Sequence, residues 1–62
     1  MYISPTLLGM LQIICQEKLK TFIKEISVLS FYETSKEIKF YCLAMESKDG
    51  TLNSVSITLP KN

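Results

Sequence analysis

Residues 37–46 read EIKFYCLAME, and successive side chains of a strand point to opposite faces. Ile38, Phe40, Cys42 and Ala44 then lie on one side, with Lys39, Tyr41, Leu43 and Met45 on the other. Neither set is polar. Such a strand needs cover on both sides, so the source of that cover decides both the fold and what the chain is free to do.

The flanking segments keep the same period. SVLSFYE at 27–33 and TLNSVSITL at 51–59 are rich in β-branched and aromatic residues, and TSK and SKDG separate them from the central run as hairpin connections. Asp49-Gly50 is the stronger turn signal, because glycine reaches positive φ without steric cost. Three antiparallel strands in a meander are predicted, over 27–33, 37–46 and 51–59.

Further upstream the period lengthens. Ser4-Pro5 reads as a helix start, since serine accepts from a free first-turn amide and proline is pre-shaped for the first helical position. Leu8, Leu11, Cys15, Leu19, Phe22 and Ile26 follow at helical spacing, widened by Leu7, Ile14 and Ile23, which predicts an amphipathic helix over 5–25. Its polar side would carry Gln12, Gln16, Glu17, Lys20, Lys24 and Glu25, with Glu17 and Lys20 spaced for a weak ion pair. Gly9 is costly inside a helix and suggests a close backbone approach there. Met1 to Ser4 are expected to be extended or loosely docked.

The resulting fold class is α+β: one helix on one face of a three-stranded antiparallel meander, in the order α-β-β-β, within a single domain over 1–62. A helix over 5–25 would be about 30 Å long and strands of about eight residues some 26 Å, so one helix could cover one side. The covered side is expected to hold Leu29, Phe31, Ile38, Phe40, Cys42, Ala44, Val55, Ile57 and Leu59. Cys15 and Cys42 fall on these apolar surfaces and are read as small hydrophobic filler, with a bridge only under oxidising conditions.

The opposite side would present Val28, Ser30 and Tyr32, then Lys39, Tyr41, Leu43 and Met45, then Leu52, Ser54, Ser56 and Thr58. Roughly half of it is apolar, and contiguous exposed apolar patches mark interaction sites. Strand 51–59 has no charged residue, whereas an exposed edge is normally blunted by lysine, proline or a bulge. Val28, Tyr32, Lys39, Tyr41, Leu43, Met45 and Leu52, with Val55 of the edge strand, are therefore the candidate interface.

Composition agrees. The chain has 62 residues, of which 47% are hydrophobic, and a chain this short buries only about 60% of its unfolded surface, so some of that apolar surface is expected to meet something. Seven basic against six acidic residues leave a net charge of +1, which indicates no nucleic-acid field. All the basic residues are lysine, and Arg, His and Trp are absent; an AT-rich genome would leave the same bias.

Chemistry finds little to use. The carboxylates Glu17, Glu25, Glu33, Glu37, Glu46 and Asp49 fall on the predicted helix exterior or near hairpin loops rather than as a pair in a pocket. There is no histidine to activate Ser or Cys, and two isolated cysteines match no metal spacing. TLLGMLQIIC lacks the charged lead of a signal peptide and the roughly 20 residues of a membrane span. The chain reads as cytoplasmic, non-enzymatic and without cofactor or metal. We expect a homo-oligomer, dimer or higher, that binds a protein partner in the manner of an inhibitor or accessory protein from a phage or mobile element. The alternatives are a small anionic ligand held at subunit seams, and single-stranded nucleic acid on Tyr32, Tyr41 and Lys39.

Overall fold

Ser4 opens the helix. In the computed structural model, which describes residues 3–61, its side chain accepts from the Leu7 amide at 3.2 Å, and Pro5 takes the first helical position, where it has no amide to leave unpaired. Helix α1 runs Pro5–Leu19, and three strands follow: β1 Ile23–Glu33, β2 Glu37–Glu46 and β3 Leu52–Pro60. They form one sheet in the order β1-β2-β3, antiparallel throughout. The helix lies on one face, so the α-β-β-β arrangement is the one the sequence predicts. Met1 and Tyr2 of the opening stretch lie outside the described residues; Ile3 packs on the core.

The helix is shorter than predicted. Lys20 turns into the left-handed region at φ 59, ψ 37, and its amide bonds back to the Gln16 carbonyl. The Thr21 amide reaches the same carbonyl at 3.3 Å, which closes the helix without the usual glycine. Phe22 and Ile26 are therefore not helical: Phe22 is 77% exposed in the connection, and Ile26 belongs to β1. Lys20 has left the helix and Lys24 and Glu25 lie in β1, so the expected helix face and the Glu17–Lys20 pair do not form.

Two glutamines assigned to the solvent side instead fasten the helix to β1. Gln12 Nε2 donates to the Ile23 carbonyl at 2.6 Å, and Gln16 Oε1 accepts from the Ile23 amide at 2.9 Å. Both backbone groups of a residue only 2% exposed are thereby satisfied.

The core comprises Leu11 and Cys15 from the helix, Ile23 from β1, Phe40, Cys42 and Ala44 from β2, and Val55 and Ile57 from β3, with Val28 and Ile26 packed against it. Two bulges in β1, between Ile23 and Glu25 and between Val28 and Ser30, set which residues face inward. Val28 pairs with Cys42 and Ile26 with Ala44, whereas Phe31 pairs with Phe40. Strict alternation placed Val28 outside and Leu29 inside; the bulge at Leu29 reverses both.

Coverage is partial. The 15 helical residues give roughly 22 Å, against about 36 Å for the 11 residues of β1. The inner face near the β1–β2 turn extends past the helix, and Phe31 remains 46% exposed there.

Candidate interaction surface

Register defines the face turned away from the helix. Its cross-strand rows are Glu25–Met45–Leu52, Ser27–Leu43–Ser54, Ser30–Tyr41–Ser56 and Tyr32–Lys39–Thr58. Tyr32 is 63% exposed, Leu52 54% and Tyr41 42%, while Leu43, Met45 and Lys39 are half-buried by their neighbours. Leu29, displaced by its bulge, joins Tyr41, Ser54 and Ser56 around a shallow depression of about 380 Å³. Six of the eight candidate interface residues, Tyr32, Lys39, Tyr41, Leu43, Met45 and Leu52, share this face.

Val28 and Val55 do not. They flank Cys42 on the helix side, where Val55 is buried and Val28 packs on the core. Leu29 is the residue that alternation missed; its signal is the odd spacing between Val28 and Phe31, two inward residues three positions apart.

The two turns are built from local side chains. Thr34 Oγ1 accepts from the Lys36 and Glu37 amides at 3.2 and 3.1 Å. Asp49 Oδ1 accepts from the Thr51 amide and hydroxyl at 3.0 and 2.7 Å, and these bonds hold the carboxyl below its ordinary pKa. Gly50 supplies the positive φ of 76.

The edges of the sheet differ. At one end of the β2–β3 ladder the Glu46 amide bonds the Thr51 carbonyl at 2.9 Å, and at the other the Lys61 amide bonds the Lys36 carbonyl at 2.8 Å. Bonded pairs alternate along an antiparallel ladder, so Asn53, Val55, Ile57 and Leu59 bond to β2. Leu52, Ser54, Ser56 and Thr58 then direct their amides and carbonyls outward. One of these is occupied: Lys18 Nζ donates to the Ser56 carbonyl at 2.8 Å. The β2–β3 register has no shift along its length. The β1 edge, by contrast, carries two bulges together with Lys24, Glu25 and Glu33, and Lys61 bonds Glu33 across its end.

Both thiols are buried and free. Burial raises the Cys15 thiol against the opposing pull of Lys18, and raises that of Cys42 with a further contribution from neighbouring Cys15. Raised thiols are poor nucleophiles. Among the described residues, no three of His, Cys, Asp and Glu gather in a metal-holding group, and no helix is long and apolar enough to cross a membrane.

No family model matches this chain, and no curated protein or solved structure matches it either.

Proposed function

We propose that the protein is a non-enzymatic binding protein whose outer sheet face docks on another protein chain, most simply a second copy of itself. The supporting observation is the row-by-row continuity of apolar and aromatic side chains on a face that no described segment covers: Met45 beside Leu52, Leu43, Tyr41 beside Leu29, and Tyr32. A charged partner would find little to pair with, since the rows hold only Lys39 and, at one end, Glu25. Aromatic and aliphatic surface with a depleted charge is the composition of an interface centre.

The test replaces Leu43 and Met45 together by glutamate. Light scattering after gel filtration should show a larger species for the natural chain at tens of micromolar and a smaller one for the variant, with an unchanged far-ultraviolet circular dichroism spectrum. A natural chain that is monomeric and captures no protein partner would falsify the reading. Unfolding of the variant would place those side chains in the core, against the register.

A further inference from the structure

We infer that the β3 edge pairs with β3 of a second copy, and that Lys18 is the latch that keeps this edge closed in the single chain. The inference rests on the proposed docking role: edge pairing leaves the outer faces of both copies open on one side, so the paired sheet is the unit whose face docks.

The size of the face shows why an edge contact is needed. Three strands about 4.8 Å apart along the 9 residues of β3 give a footprint of roughly 430 Å², about half of the ~800 Å² that each partner buries in a standard interface. Joining two sheets edge to edge doubles the continuous outer face.

Only β3 can make that joint. Its outward amides and carbonyls fall on Leu52, Ser54, Ser56 and Thr58, all uncharged and free of bulges. Antiparallel pairing centred on Val55 sets Ser54 against Ser56 and Leu52 against Thr58 of the second copy. This register uses every outward amide of the four, leaves Pro60 beyond the paired stretch, and supplies about eight main-chain hydrogen bonds. It also keeps the outer faces of both copies on one side, because the outward-bonding residues of β3 are the same residues whose side chains face outward.

Helices do not obstruct it. The helix reaches β1 through Gln12 and Gln16 and β3 through Lys18, so its axis lies over the central part of the sheet. At a strand spacing of about 4.8 Å, two such helices come to about 14 Å apart across the joint, beyond the 8–10 Å of helices in contact.

The obstacle is Lys18. Its ammonium sits on the Ser56 carbonyl, where the Ser54 amide of the second copy must bond, and a lysine at an edge is the standard guard against strand addition. Rotation of this exposed side chain opens the edge without disturbing the ladder behind it.

The experiment measures mass against concentration for the natural chain, Lys18→Ala, Lys18→Ala with Ser54→Pro, and Leu43→Glu with Met45→Glu. Lys18→Ala should lower the concentration of half-association by about tenfold, since each pair formed by the natural chain must break two of these exposed bonds, one in each copy. Ser54→Pro removes an outward amide, a place where an edge strand tolerates proline, and should abolish that gain. Amide hydrogen exchange in Lys18→Ala supplies a second readout: Ser54, Ser56 and Thr58 should slow as concentration rises. An unchanged association constant in Lys18→Ala, or edge amides that stay fast in the associated species, overturns the edge pairing. If mass then still falls in the Leu43→Glu, Met45→Glu protein, face docking stands without the edge; the reverse pattern leaves the edge without the face.

Discussion

Cys15 and Cys42 show how a residue's chemistry follows from where its backbone is placed. One comes from the helix and one from the central strand, and both are buried. Burial disfavours the thiolate, so each folded pKa lies above the ordinary value of 9.0. A group that holds its proton more tightly when folded contributes fully below its unfolded pKa, and this contribution is lost as pH rises through the folded one. Stability against urea should therefore be level from pH 7 to about 8.5 and decline above about 9. In a Cys15→Ala, Cys42→Ala protein the decline just above pH 9 should be shallower; an equal slope would mean that the thiols are not the titrating groups.

Among the elements, the two glycines make opposite demands. Gly9 sits inside α1 with nothing within 4 Å of where a Cβ would be, so the close approach that its presence suggested is absent. Gly9→Ala should stabilise the protein by about 0.5–1 kcal/mol through helix propensity. Gly50 is equally unobstructed but holds φ at 76, and Gly50→Ala should cost about 1 kcal/mol for a left-handed conformation. Urea midpoints of the two variants should move in opposite directions, and a shared direction would contradict the backbone angles.

The elements also show where the sequence was readable. The central strand was found at 37–46 as predicted, because its alternation is regular and its turns carry local signals in Thr34, Asp49 and Gly50. The helix end was not. Lys20 adopts a left-handed angle with no glycine or asparagine to announce it, and the apolar residues of β1 are spaced by its bulges. Ile23, Ile26, Val28 and Phe31 fall three, two and three apart, a spacing that imitates helical periodicity. The bulge between Ile23 and Glu25 lengthened the predicted helix, and the one at Leu29 exchanged Val28 and Leu29. Six members of the candidate surface were legible because they lie beyond the bulge or on strands without one.

For the whole molecule the balance of surface decides behaviour. One helix of about 22 Å cannot shield both sides of a sheet, and the mean hydropathy of +0.19 leaves apolar side chains on the outer face and on Phe22. If a second copy covers them, folding and association are linked, and stability depends on protein concentration. The melting temperature should rise by several degrees between about 5 and 500 μM, and should be constant over that range in the Leu43→Glu, Met45→Glu, Ser54→Pro protein. A natural chain with a constant melting temperature would indicate that no self-association accompanies folding.

The inequality of the two sheet margins limits how far such growth can go. A sheet with one usable margin can be extended once, by its own twin, after which only the kinked, charged β1 sides face outward. A sheet with two would add copies without end and become a filament. Both bulges and the charges of Lys24, Glu25 and Glu33 would have to go before β1 offered that second margin, so under the proposed pairing the extra residues that break the alternation of the strand also separate a closed six-stranded sheet from an open-ended fibre.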